Sequence, residues 1–192
     1  SVDTANDLDS ATEGTITASI DTTEDVDELK TLTGTTHAYT IVIADGDATT
    51  TTAAELTTIN GKTTAAIDAS AITALASDTI DNIKTLLTAG NDTDQFTAAS
   101  FGSLTAVTVS DDGTLDGSKL ADAIDEANEA TGDTSVEFDI SAANTIEGSE
   151  ANFTALLTDD GNGQIDIDAQ DITVTGQTVS YTHLTLPTMR TV

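Results

Sequence analysis

The segment with the most ligand-like residues runs DDGNGQID, from Asp159 to Asp166. Carboxylate and amide oxygens bind Ca²⁺ in proteins, and this segment can be aligned with an EF-hand loop. The alignment puts Thr158 at the first position and Ala169 at the twelfth, where an Asp and a bidentate Glu are expected. An EF-hand-type site, a weaker calcium site and a plain acidic turn therefore stay open. The candidate calcium ligands are Asp159, Asp160, Asn162 and Asp166.

A second acidic feature consists of Asp residues at the ends of predicted strands, namely Asp21, Asp45 and Asp68. Their spacing of roughly 23 or 24 residues predicts a repeat of that length. On stacked strands about 4.8 Å apart, these carboxylates would repel one another unless water or cations lay between them. The alternative is that each Asp ends its strand and caps the following turn.

Residues suited to catalysis are scarce in this chain. His37 follows Gly34-Thr35-Thr36, so we expect an exposed histidine in a loop. The sequence contains no Gly-x-Ser-x-Gly elbow, no phosphate-binding Gly-rich loop and no His cluster. Carboxylate pairs are numerous only because the whole chain is acidic. We therefore predict no catalytic residue, no cofactor and no enzyme activity.

The composition is strongly acidic, with 34 Asp and Glu against 5 Lys and Arg and a net charge of −29. Such a surface repels nucleic acid and anionic membranes, so neither is an expected partner. The chain has no Cys, which excludes disulfides and thiolate chemistry. No apolar run approaches the roughly 18 residues of a membrane-spanning helix, so membrane insertion is not predicted. The excess of negative charge can be explained either by solubility in salt or by cation binding.

Along most of the chain, short segments in which apolar and polar residues alternate are followed by segments in which apolar residues recur at helical spacing. The clearest unit, Thr63 to Leu87, predicts a strand at Ala65 to Ser70 and a helix that begins at Ser77. A recurring Thr-aliphatic-x-Gly tetrapeptide supports true repetition. Its copies begin at Thr31, Thr114, Thr145 and Thr173.

The later part of the chain repeats this order. Residues 136–140 (VEFDI) alternate as a strand does, and Ser149 is expected to cap a helix. The apolar residues predicted to bury this helix are Phe153, Leu156 and Leu157.

Strands that alternate with helices through short links predict parallel strands joined by right-handed crossovers. Repetition favours a β/α solenoid-like stack with short amphipathic helices on one side, and a compact doubly wound α/β domain is the alternative. We divide the chain into a frayed segment 1–14, a repeat region 15–177 and a non-native tail 178–192. The predicted units are 15–37, 38–62, 63–90, 91–132, 133–162 and a truncated 163–177.

The stretches ITASIDTTEDVDEL, LTGTTHAYTI and ELTTINGKTTAAIDASAITALA resemble tandem repeats of very large, acidic, Thr-rich surface or secreted proteins of marine bacteria and picocyanobacteria. The resemblance covers residues 15 to about 90 well and 91–177 more loosely. It implies an adhesive or structural role in an extracellular or cell-surface protein, with neighbouring repeats of the same polypeptide as partners. A calcium-dependent binding module and a non-catalytic fragment of a larger secreted enzyme are the alternatives.

The tail differs in kind from the rest of the chain. VSYTHLTLPT, from Val179 to Thr188, resembles the translation of a sequencing-library adapter. We therefore expect the natural sequence to end near Gln177. The natural N-terminus is expected to be missing as well, because the sequence begins with Ser1 rather than Met and shows no signal peptide.

Overall fold

The computed structural model describes residues 1–132, 136–167 and 170–175. The predicted tail and Ala169 lie outside these residues. Within them, helices alternate with short strands. The helices are α1 (Val2–Ala11), α2 (Val26–Leu29), α3 (Ala53–Asn60), α4 (Ile80–Gly90), α5 (Gly117–Thr131) and α6 (Glu150–Gly161). The strands are β1 (Thr17–Ser19), β2 (Ala38–Thr40), β3 (Ala74–Asp78), β4 (Ala106–Val109), β5 (Gly113–Asp116), β6 (Glu137–Asp139), β7 (Ala143–Gly148) and β8 (Asp171–Val174).

The strands pair in parallel and form three small sheets, with the orders β1–β2, β3–β4–β6 and β5–β7–β8. Two isolated parallel bridges join Val42 to Asp68 and Ile67 to Phe96, and the predicted strand at residues 65–70 is reduced to these bridges. No closed barrel forms among the described residues. The prediction of a mixed α/β protein with parallel strands is confirmed.

The helices lie side by side in chain order. Contacts join α2 to α3, α3 to α4, α4 to α5 and α5 to α6. In α4, the buried residues Ile80, Ile83, Leu86 and Leu87 follow the spacing of an amphipathic helix. Together with the inward side chains of the strands, these helix faces form one continuous apolar cluster from the first helix to residue 167.

Hydroxyl residues fix where the central helices begin. Thr52 and Glu55 form a capping box at α3, each side chain accepting a hydrogen bond from the backbone of the other. Helix α4 begins after Thr79, whose hydroxyl accepts from the Asn82 N–H. The prediction that Ser77 opens this helix is therefore wrong. Ser77 lies in β3, because the pairing of β3 with β4 extends the strand to Asp78.

The predicted row of strand-end aspartates is not in backbone register, and the side chain of Asp45 lies outside the described part of the chain. Val42 pairs with Asp68, so Asp45 and Asp68 do not lie opposite each other. The prediction assumed one fixed period, whereas the sequence separation of paired residues varies along the chain. Thr17 and its partner Ala38 are much closer in sequence than Ala74 and its partner Ala106.

Residues 1–14, expected to be frayed, contain the capped helix α1. The Ser1 hydroxyl accepts from the Thr4 N–H, and Val2 and Ala5 are buried against the first unit. Asn6 attaches the helix further, because its amide oxygen accepts from the Thr33 N–H at 2.8 Å. The expectation of a frayed end is wrong. The buried residues and the side-chain contacts that hold α1 are set by tertiary packing, and they leave almost no periodic signal in the sequence.

The helix prediction near the C-terminal end is right in part. Ser149 caps α6 by accepting from the Asn152 N–H, and Phe153 and Leu156 are buried as expected. Leu157 is 60% exposed, so its assignment to the core is wrong.

Candidate functional site

The segment DDGNGQID forms the C-terminal end of α6 and the turn that follows it. The Asn162 N–H donates to the Thr158 carbonyl and the Gln164 N–H donates to the Asp159 carbonyl. Gly163 takes the left-handed conformation, with φ of 78°. These features are those of a glycine-stopped helix end, in which the backbone satisfies its own last carbonyls.

The Asp159 carboxyl is half-buried, and its surroundings disfavour its charge. Burial raises its pKa above the ordinary value, and the nearby Asp125 carboxylate raises it further. Asp166 follows the turn and is exposed, and the side chain of Asp160 lies outside the described part of the chain. No three Asp, Glu or His side chains gather as a metal-binding group in the part that the structure describes. Calcium binding by Asp159, Asp160, Asn162 and Asp166 stays a prediction.

A groove of about 780 Å³ lies beside this helix end, between residues 137–144 on one side and residues 163–166 and 170–171 on the other. Apolar side chains, including Phe138, Ile140 and Ile165, line one part of it. Four acidic residues and several neutral polar residues also line it, and no described Lys, Arg or His does. A lining of this kind attracts cations and repels anions. The acidic residues are Glu137, Asp139, Asp166 and Asp171.

His37, expected in an exposed loop, is only 4% exposed, so that expectation is wrong. Its Nδ1 accepts from the Ile16 N–H at 3.1 Å, which places the ring proton on Nε2. Nε2 donates to Oδ1 of Asp9 at 2.6 Å. The hydrogen bonds from Thr33 and then His37 lower the pKa of Asp9.

The Asp–His pair has the residue types of a catalytic dyad, but both ring nitrogens are already engaged. A general base needs a free ring nitrogen within reach of a substrate proton. In His37, Nδ1 accepts a hydrogen bond from a backbone N–H and Nε2 donates one to Asp9. The pair therefore attaches α1 to the first strands. Sequence reasoning missed it because Asp9 and His37 are far apart in the chain and lie in different elements.

Strand-end aspartates close a recurring turn of the form Asp-x-Ser or Asp-x-Thr. In each, the Asp Oδ1 accepts from the backbone N–H two residues later, so the turn caps itself. The residues are Asp21, Asp68, Asp116 and Asp139. The hydrogen bonds from Thr23 lower the pKa of Asp21, and those from Ser141 lower the pKa of Asp139. The capping interpretation is thereby confirmed for Asp21 and Asp68.

Three lysines of the described chain link neighbouring helices. Lys84 of α4 lies 2.5 Å from Asp122 of α5, and Lys119 of α5 lies 2.7 Å from Asp81 of α4. The hydrogen bond to Asp81 raises the pKa of Lys119. Each helix thus supplies one cation and one anion, which fixes the position of α5 along α4. The i,i+3 spacing of each Asp–Lys pair was visible in the sequence, but the helix contact was not.

Lys30 likewise links α2 to α3. Its Nζ lies 2.6 Å from Oε1 of Glu55 and 2.7 Å from Oδ1 of Asp27. Burial acts to raise the pKa of Glu55, yet the hydrogen bonds from Lys30 and Thr52 lower it. Lys30, Lys84 and Lys119 thus bring acidic helices together.

The chain matches no protein-family model, and it is similar to no curated protein and to no solved structure. Among the described residues, no helix is both long and apolar enough to cross a membrane.

Proposed function

We propose that this chain is a non-enzymatic structural or adhesive repeat segment of a large extracellular or cell-surface protein, arranged as a β/α solenoid-like stack. The observation that carries the proposal is that the helices α2 to α6 contact one another in strict chain order. In a stack each unit is stabilised by its neighbours along the polypeptide. The proposed partners are therefore further units of the same kind.

The strand pairings support the same arrangement. β3, β4 and β6 pair in parallel, and β5, β7 and β8 do so in a second sheet. In both sheets each strand pairs with the strand of that sheet that follows it along the chain. A doubly wound domain would instead place its strands in one sheet with helices on both faces. Several small sheets with one ordered row of helices fit the stack better.

The surface chemistry supports a scaffold that works in solution rather than on an anionic polymer. The net charge is −29, and Lys30, Lys84 and Lys119 are engaged in contacts between helices. Little positive charge therefore remains to bind phosphate groups. The extracellular or cell-surface location is proposed from composition and from the resemblance to acidic surface repeats.

Mechanical unfolding of the full chain, held at its two ends, tests the proposal. A stack should peel unit by unit, and a unit of roughly 23–31 residues releases roughly 75–110 Å of extended chain. We expect a series of steps of that size at similar forces. A single unfolding step that releases the whole folded region at once contradicts the stack and favours one compact domain.

A further inference from the structure

Equivalent positions in the sheet β5–β7–β8 differ sharply in exposure. Leu115, Ile146 and Ile172 pair in register across the three strands. Leu115 and Ile146 are fully buried, whereas Ile172 on β8 is 46% exposed. The residue at this position is aliphatic in all three strands. On the last strand, however, no described residues cover it. An aliphatic side chain at an exposed strand edge marks a surface suited to pairing with another strand.

The helices show the same change at one position. Leu87, Ile124 and Leu157 are each the eighth residue of their helix, in α4, α5 and α6 respectively. Leu87 and Ile124 are completely buried, and each of these helices is followed by another helix packed against it. Leu157 is 60% exposed at the end of the row. Its exposure follows from its place in the series and not from its residue type.

The opposite end of the molecule is covered. Helix α1 buries Val2 and Ala5 against the first unit and is held there by Asp9 and His37. At the other end, three aliphatic side chains are exposed, namely Val174 at 45%, Ile172 at 46% and Leu157 at 60%. We call the open edge of β8 together with these three side chains the β8–α6 face. The two ends therefore differ in that only the first has a cap among the described residues.

We propose that the β8–α6 face is the docking surface for one further β/α unit of the same kind, with its strand parallel to β8 and its helix against α6. This inference rests on the proposed stack and names the partner of its last unit. It continues the established contacts of α4 with α5 and α5 with α6. The new strand covers Ile172, and the new helix covers Leu157.

Two other occupants fit the face less well. A second copy of the chain would bring a second charge of −29 to an edge that already carries Asp171. The chain's own segment 176–192 is clearly shorter than the step from Thr145 to its partner Asp171, which includes one helix and one connection. That segment is too short to supply both a helix against α6 and a strand against β8.

The test inserts a second copy of residues 150–175 between Thr175 and Gly176 of the full chain. This insertion is as long as the last observed step, from Thr145 to its partner Asp171, so its strand is in register with β8. We expect the melting temperature to rise by several degrees and amide exchange on the open edge of β8 to slow at least tenfold, as when a repeat gains a neighbour. An inserted unit that exchanges like unfolded chain and leaves β8 unprotected overturns the proposal.

Leu157→Glu provides a matched control, because the inserted chain contains this residue twice. In the first copy Leu157 lies under the new helix, so the substitution should cancel the gain in melting temperature. In the inserted copy it lies at the new exposed end and should have almost no effect. Equal effects in the two copies overturn the proposal, even if the chain is stabilised.

The other occupants give distinct results in the unmodified chain. A concentration-dependent dimer that Leu157→Glu abolishes would assign the face to a second copy and overturn the proposal. Faster exchange at β8 after deletion of residues 176–192 would assign it to that segment, with the same consequence. The full chain could unfold in steps while the insertion fails to slow amide exchange in β8. That combination would reject the docking face and would still support the stack.

Discussion

The Nε2 atom of His37 lies 2.6 Å from Oδ1 of Asp9, and this contact joins the N-terminal helix to the first sheet. Gly34 stands directly against the same ring. A Cβ at this position would overlap both Cδ2 and Nε2 of His37. The close approach explains why the turn before His37 carries a glycine.

Substitution Gly34→Ala should therefore displace His37 from Asp9 and release α1. Gly34 has a φ of 75°, so Ala also costs about 1–2 kcal/mol of backbone strain there. We expect a larger loss of unfolding free energy than strain alone gives, with faster amide exchange in α1 and little change in α5. Chemical denaturation and hydrogen exchange measure the two effects.

Gly113→Ala separates the strain from the clash. Gly113 has a φ of 85° but open space where a Cβ would lie. This variant should lose only the strain energy and leave α1 protected. Equal losses in the two variants would show that the contact with His37 is unimportant for stability.

Adjacent leucines in α6 give a second matched pair. Leu156 is fully buried and Leu157 is 60% exposed. We expect Leu156→Ala to lower the unfolding free energy by about 2–5 kcal/mol, and Leu157→Ala to lower it by less than about 0.5 kcal/mol. Urea titration of the full chain measures both. A cost for Leu157→Ala close to that for Leu156→Ala would mean that the β8–α6 face is already covered in solution.

These leucines also show how far the sequence could predict the fold. The alternation of apolar patterns correctly predicted parallel strands, and Ser149 was correctly predicted to cap α6. It could not distinguish Leu156 from Leu157, because both lie on the apolar side of one helix. Leu156 packs into the described core and Leu157 does not, so the difference is set by tertiary packing rather than by the local pattern.

The row of strand-end aspartates and the exposure of His37 were predicted wrongly for a related reason. The tetrapeptides at Thr114 and Thr145 do stack in register, but the copy at Thr173 is shifted and pairs with Glu147. Variable offsets of this kind remove the strand-end aspartates from a common row. His37 was misplaced because its partner Asp9 lies in a helix that the sequence pattern did not reveal.

The Asp116 carboxylate predicts a specific pH dependence. The hydrogen bond from the Ser118 hydroxyl lowers its pKa below the ordinary value of 3.8, and the N–H groups of Ser118 and Lys119 add to the effect although burial opposes it. A carboxyl whose pKa is lowered by folding stabilises the fold above its unfolded pKa, and this stabilisation is lost as pH falls through the lowered value. Asp116 should therefore contribute fully near neutral pH and not at all in strong acid.

Asp116→Asn tests this dependence, because the amide oxygen can accept the same hydrogen bonds without a charge. We expect the difference in unfolding free energy between the original chain and the variant to be constant above about pH 5 and to shrink below the ordinary Asp pKa. Asp94→Asn, at an exposed turn, serves as the control. A difference that does not change with pH would show that charge plays no part in this cap.

The acidic surface predicts that sodium chloride raises the melting temperature of the chain. With a net charge of −29, mutual repulsion favours expansion, and the screening length falls from about 10 Å at 0.1 M salt to about 3 Å at 1 M. Calcium is tested separately, by melts in chelator and in millimolar Ca²⁺ at one high ionic strength. Binding at the end of α6 would raise the melting temperature further by linkage.

Asp159→Asn should remove that calcium-specific rise and keep the response to sodium chloride. Asp122→Asn is the matched control, because it removes an equal charge at the contact with Lys84, away from the helix end. A rise that both variants lose would be a general response to divalent cations. An unchanged melt in Ca²⁺ would leave DDGNGQID as a glycine-stopped helix end, and the carboxylates beside it would then serve solubility alone.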